Sequence, residues 1–223
     1  MKQSLADLFF PPFCVSCSEN GSWWCEDCRR RVHLVQRDIC PRCLAAEAHE
    51  CVGEYTFTKI VTAGFYHDER LRKVITALKF NGAYAILPQV VEFLRSRVKM
   101  PDISSNAVLI PIPLAEKRLK ERGFNQAELI AGAYREAFNL QNEIRSDVLM
   151  RSRFTDPQSS LEHSIHLRQQ NIAGCFQCSP NPPEEIVLAD DVATTGATAA
   201  EAAGVLLTAG AQKVWLLTLA IGR

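Results

Sequence analysis

The sequence predicts an α/β fold: a mostly parallel sheet flanked by helices over residues 56–223, preceded by a small cysteine-rich module over residues 1–55. Three observations carry this. Short apolar runs at 60–66, 107–113, 186–189 and 214–220 alternate with stretches of helical period. Strands that alternate with helices assemble into a parallel sheet covered on both faces. Seven of the nine cysteines fall between Cys14 and Cys51, so the composition changes near Tyr55. Finally, residues 185–198 pass from apolar residues to two adjacent acids, then a small hydroxyl-rich turn, then an alanine-rich stretch.

The balance of 25 Lys and Arg against 25 Asp and Glu gives a formal net charge of zero. No global field draws nucleic acid or an anionic membrane, and any such contact needs a local patch. The apolar fraction of 47% is ordinary for a chain that buries a core. Residues 5–10 are too short for a secretory apolar region and carry Asp7. No apolar run approaches the length of a bilayer span. A cytoplasmic protein is the expectation.

Cys14-x-x-Cys17 and Cys25-x-x-Cys28 are two knuckles. Each places two thiolates on one tight turn, and two such turns close a tetrahedral four-cysteine zinc site. Cys40-x-x-Cys43 is a third knuckle, with His49 and Cys51 behind it. These four form either a second zinc site or a degenerate one with idle thiols. No thioredoxin-like strand–helix context marks them as a redox pair. Trp23 and Trp24 are expected to pack the small core of a module that metal must largely hold together. Arg29, Arg30 and Arg31 form a basic run that either meets phosphates or is a solvated surface. His33 reads as a surface residue, and Cys175 and Cys178 read as free thiols.

The remaining elements follow in order. Residues 60–66 read as a strand. Residues 68–79 read as a helix with Leu71, Val74, Ile75 and Leu78 on one face. A turn at 80–82 leads into a second helix over 83–99. Residues 107–113 make a buried strand ended by prolines. Behind it, Arg118 and Arg122 are four apart and share a helical face. With Lys117 and Lys120 they could grip a diphosphate, or form a solvated face interleaved with Glu116 and Glu121. Asn125 caps a helix running to about Phe138. Residues 147–151 suggest a short strand, 151–160 a mobile polar loop and 161–171 a helix. A helix over 199–209 stops at Gly210, before the last strand at 214–220.

Ligands of such sheets bind beyond the carboxyl ends of the strands. Asp190 and Asp191 sit at one such end, and residues 111–122 follow another. Paired carboxylates suit the hydroxyls of a ribose. The N-terminus of the next helix offers unpaired N–H groups and a positive dipole end to a phosphate. The stretch reads as a site for a sugar phosphate.

Residues 187–198, with Asp190-Asp191 and Thr194-Thr195-Gly196-x-Thr198, resemble the phosphoribosyl pyrophosphate (PRPP) loop of type I phosphoribosyltransferases. The rest resembles one branch of them, the ComF family, which includes the GntX-type proteins. That branch has a cysteine-rich zinc module, here Cys14 to Cys51, and a Leu78-Lys79-Phe80 turn with Gly82. It has a Pro-x-Pro-Leu block ending in Arg-Gly-Phe-Asn-Gln, here residues 111–126, and a later segment matched by Arg151, Gln158, Arg168 and Asn171. Ala189 departs conservatively from the valine of many relatives.

The resemblance implies a type I phosphoribosyltransferase-like sheet behind a zinc-ribbon-like module. It implies that Asp190 and Asp191 bind the ribose hydroxyls and are the catalytic carboxylates if there is turnover. Ala193, Thr194, Thr195, Gly196, Ala197 and Thr198 would cradle the 5′-phosphate. Pro113, Lys117, Arg118 and Arg122 would form the diphosphate side, with Mg²⁺ bridging ribose and diphosphate. Arg151, Arg153 and Gln158 would belong to a loop that closes over the site. It implies a role in DNA uptake, natural transformation or use of external DNA. The expected contacts are single-stranded DNA, a DNA-uptake helicase and recombination-loading proteins at the inner face of the membrane. The alternative is an active phosphoribosyltransferase that releases diphosphate onto an unidentified acceptor.

Overall fold

The computed structural model describes residues 12–36, 38–45, 51, 56–80, 83–151 and 174–222. Described elements run α1 (Glu26–Arg30), β1 (Lys59–Phe65), α2 (Glu69–Ala77), α3 (Ala83–Arg97), β2 (Val108–Pro111), α4 (Glu116–Arg122), α5 (Gln126–Ala137), β3 (Leu149–Arg151), β4 (Phe176–Cys178), β5 (Glu185–Ala193), α6 (Ala197–Thr208) and β6 (Lys213–Ile221). The main sheet has the order β1-β6-β5-β2, and every pairing in it is parallel.

β5 and β6 hold the central positions, which explains their unbroken apolar runs: both faces are covered. Alternation along the strands divides the core. Val187, Ala189, Leu217 and Leu219 pack with Leu71 of α2, Phe93 of α3 and Ile130 of α5. Ile186, Leu188, Val214 and Leu216 pack with Leu206 of α6 and with Leu149 and Phe176 of β3 and β4.

Local chemistry sets the helix ends. Asp68 caps α2, accepting from the Arg70 and Leu71 N–H groups, and is buried. Asn125 caps α5 through the Ala127 N–H, while its amide donates to the Ile112 carbonyl at 3.0 Å. That bond fixes α5 to the carboxyl end of β2. Gly123, at φ 79°, ends α4 in the left-handed conformation that glycine adopts without strain.

Both sheet edges are covered, which blocks pairing with another chain. Val35 N–H donates to the Ala63 carbonyl at 3.3 Å, laying the segment after α1 along β1. Gly64 permits this approach, because a Cβ there would lie 2.8 Å from the His33 carbonyl oxygen. On the other edge, Leu109 N–H donates to the Glu143 carbonyl at 2.8 Å.

One expectation is corrected. Trp24 is fully buried, but its ring sits 4.8 Å from that of Phe93 on α3, so it belongs to the core beneath the sheet. A module this small cannot enclose an indole by itself; Trp23 is left partly exposed at 39%. The short strand expected over 147–151 is present as β3, outside the main sheet. It pairs antiparallel with β4, a three-residue strand in the segment of Cys175 and Cys178 that sequence periodicity is too short to reveal. The expected helix over 161–171, and His49, Arg153, Gln158, Arg168 and Asn171, lie outside the described residues.

Candidate functional site

β5 carries Asp190 and Asp191 to its carboxyl end. Successive strand residues leave the backbone on opposite sides, yet the two carboxyl groups remain within interaction distance, Asp191 acting on Asp190 through its charge and a side-chain hydrogen bond. Asp190 is in register with Thr218 of β6, itself in register with Thr62 of β1. On the other face, Lys79 Nζ lies 2.9 Å from Asp191 Oδ2. Lys79 terminates the segment after α2, and sequence reasoning assigned it no role. A single lysine at a helix end carries no charge pattern; its place in the Leu-Lys-Phe turn was the only signal.

Cations from three segments converge on the acids. Arg122 of α4 interacts electrostatically with Asp191 and with Arg118. Arg151 at the end of β3 interacts with Asp190 and with Arg118, and its guanidinium lies 5.5 Å from the centre of the Phe176 ring. The structure thus brings together Asp190, Asp191, Arg118, Arg122 and Arg151. Burial and Arg118 lower the Arg122 pKa against the pull of Asp191, and its Nη1 is buried without a hydrogen-bond partner. Burial first, then the Asp191 charge, holds the Asp190 carboxyl well above the ordinary carboxylate range. The Asp191 backbone N–H, 2.8 Å from Asp190 Oδ1, and the Lys79 charge pull the other way. Lys117 is exposed and Pro113 half-buried on the approach to α4.

The turn after β5 is set by close packing. Gly196 is the N-cap of α6 at φ 71°. Thr195 Oγ1 accepts from the Ala197 N–H at 3.4 Å. Gly222 N–H donates to the Ala193 carbonyl at 2.9 Å, and a Cβ at Gly222 would lie 2.9 Å from Thr194 Cα. Thr194 is exposed. The first N–H groups of a helix lack intrahelical partners and suit an anion.

The cysteines form two clusters. In one, the sulfurs of Cys14, Cys17, Cys25 and Cys28 lie within 4.8 Å of one another, with Cys17 and Cys25 at 3.7 Å. Thiolates around a tetrahedral zinc, each at about 2.3 Å, stand about 3.8 Å apart, so the set fits that ion. Burial opposes ionisation of Cys14, but the backbone N–H groups of Cys25, Cys17 and Ser16 outweigh it and draw the thiol down to about 6. Burial and the three neighbouring sulfurs push Cys28 up, the response of a cluster that needs a cation to ionise fully. In the other cluster, Cys40, Cys43 and Cys51 lie within 4.8 Å. There the N–H groups of Cys43 and Arg42 overcome burial and draw Cys40 to about 6.

The arginine run is not a free phosphate patch. Arg29 pairs with Glu92 of α3 at 2.9 Å and also donates to the Trp24 carbonyl. Arg30 pairs with Glu26, and Arg31 with Asp27 at 3.0 Å, both one helical turn away on α1. His33 is largely exposed, though its N–H donates to Asp68 at 2.9 Å. Among the described residues, no helix is long and apolar enough to cross a membrane.

Fold and site together define a zinc-ribbon protein whose parallel α/β domain gathers acids and cations at its strand ends. The double zinc ribbon domain model matches residues 5–55. The chain is 30% identical to the DNA utilization protein YhgH of Shigella flexneri, over 94% of this chain and 98% of that protein. It is 26% identical to competence protein ComFC of Bacillus subtilis, over 83% of this chain and 78% of that one. It is 25% identical to competence protein F of Haemophilus influenzae, over 88% and 96%. The chain belongs to the ComF family of competence and DNA utilization proteins. The cysteine clusters supply ligands for the structural zinc of its ribbon.

Proposed function

We propose that this protein binds PRPP, or a closely related ribose phosphate, and serves DNA uptake or the use of external DNA. The observation that carries the ligand is the pair Asp190 and Asp191 upstream of the turn at 194–198, with Lys79 paired to Asp191, Arg122 and Arg151 acting on the acids, and Arg118 acting on both arginines. Two carboxylates can accept from two vicinal hydroxyls. The turn and the start of α6 supply N–H groups for one phosphate. The arginines offer forked donors to a second, doubly charged phosphate. Mg²⁺ would bind chiefly through the ligand's own oxygens and neutralise the diphosphate, with Asp190 and Asp191 the nearest carboxylates. The process rests on relatives named for competence and DNA utilization.

Titration calorimetry with PRPP and Mg²⁺ tests this reading. Saturable heat is expected from the parent protein and little from Asp190→Ala/Asp191→Ala. No heat from the parent would sink the ligand assignment.

Single-stranded DNA is the proposed macromolecular contact, and an uptake helicase and recombination-loading proteins are the proposed partners. Phe80 and Tyr84 are exposed at 65% and 62%, and the Tyr84 ring meets that of Phe124 edge-on at 5.9 Å. These aromatics adjoin Lys79 and Arg122 in sequence. Exposed rings beside cations stack bases of any sequence. Replacing Phe80 and Tyr84 by alanine should weaken oligonucleotide binding about tenfold, measured by fluorescence anisotropy. Replacing Arg30 and Arg31, already paired and exposed, should change it by no more than about twofold. The reverse ranking would move the contact to the ribbon.

The converging cations also favour a second reading, a phosphoribosyltransferase. Charge develops on the departing diphosphate, and fixed cations stabilise it. Diphosphate release in the presence of an acceptor base would promote that reading over binding alone.

A further inference from the structure

The second zinc knuckle does not stand apart from the phosphate turn. Leu44, the residue after Cys43, is 3% exposed and inserts into the core that also holds Ala193, Ala199 and Ile221. Its side chain lies directly against Gly196. A Cβ at Gly196 would come 2.4 Å from Leu44 Cδ1 and 3.1 Å from Cγ. The turn is therefore clasped from two sides, by Leu44 at Gly196 and by Gly222 at Thr194.

Leu44 is held there by the knuckle. Its N–H donates to the Cys40 carbonyl at 3.0 Å, and Cys40 N–H donates to the Ala45 carbonyl at 2.9 Å. Its φ of 62° is a left-handed conformation that a leucine keeps only where its surroundings fix it. Those surroundings are the loop closed by the sulfurs of Cys40, Cys43 and Cys51.

We propose that Leu44 is a positioning residue for the turn at 194–198, coupling zinc at Cys40, Cys43 and Cys51 to anion binding at the carboxyl end of β5. The ion closes the knuckle, the knuckle fixes Leu44, and Leu44 fixes the backbone at Gly196. Coupling of two sites is reciprocal, so a ligand in the turn must also tighten the second zinc. The ligand-binding half of this inference rests on the PRPP reading; the zinc-to-turn half does not.

The full chain with its zinc provides the test. Leu44→Ala keeps every sulfur ligand and should retain the parent zinc content. It should weaken PRPP–Mg²⁺ binding by calorimetry about tenfold. PRPP should slow the release of the more labile zinc to a chelator. Removing that zinc should speed amide hydrogen exchange at residues 194–198, a readout that needs no ligand and no variant. Faster exchange with no PRPP binding by the parent would uphold the zinc-to-turn coupling and overturn the ligand assignment instead. Unchanged exchange after zinc loss would overturn the coupling, as would parent affinity in a zinc-replete Leu44→Ala protein.

Discussion

Trp24→Ala should destabilise the sheet domain itself, by about 3–5 kcal/mol, the usual cost of emptying a large aromatic site in a core. In a chain of this length that lowers the melting temperature by roughly 10 °C. The reason is that the first zinc site and the sheet share one interior. Trp24 and Phe93 are both fully buried, and Cys14, Cys28 and Val32 join the same core. Polar contacts run alongside. Lys73 Nζ donates to the Ser16 carbonyl at 3.0 Å, Ser16 Oγ to the Arg70 carbonyl at 3.2 Å, and Arg97 to the Arg30 carbonyl at 3.1 Å. Binding of a structural zinc is folding free energy for the segment that carries it. Cys28→Ser should therefore act in the same direction as Trp24→Ala, and both should shift a single cooperative transition followed by far-ultraviolet circular dichroism. Two separated transitions, with the upper one at the parent temperature, would show that ribbon and sheet fold independently.

That shared core marks the limit of what the sequence discloses. Knuckle spacing is local chemistry, and so the zinc ligands are legible from their pattern. The strands β1, β2, β5 and β6 are legible because burial on both faces demands apolar runs, and Asn125 because a cap acts on its own helix. The acid pair is legible because it interrupts the apolar run of β5 near its carboxyl end. What escapes depends on contacts between distant segments. Nothing local to Trp24 says that its partner is Phe93. Nothing local to Lys79 says that it faces Asp191. The arginine run looks basic in one dimension, yet Glu26, Asp27 and Glu92 lie against it once α1 and α3 form. β3 and β4 are three residues each, too short for an alternating pattern to stand out.

Asp190→Asn should raise the stability of the ligand-free protein at neutral pH while weakening PRPP about 10- to 100-fold, the loss expected when a charged hydrogen-bond acceptor to the ribose becomes neutral. The two effects share one cause. Burial and the neighbouring Asp191 charge raise the Asp190 pKa well above its unfolded value of 3.8. The folded state thus holds this proton more tightly than the unfolded state does. That preference stabilises the fold fully below pH 3.8 and is lost progressively as pH rises towards the folded-state pKa. At neutral pH the parent has lost stabilisation that an amide, neutral at every pH, retains. The gain in Asp190→Asn should be about 1 kcal/mol, the size seen when a functional site is relieved of its own cost. It should shrink towards zero in acid, where the parent carboxyl is neutral in both states. Asp191→Asn should behave differently, because it removes the charge that raises Asp190 and strands Lys79 without its 2.9 Å partner. Melting curves of both variants across the acid range, paired with calorimetry, separate the cases. A gain in Asp190→Asn that persisted unchanged into acid would mean that shape, and not charge, sets the cost at this position. Binding left at the parent level would remove Asp190 from the ribose contact.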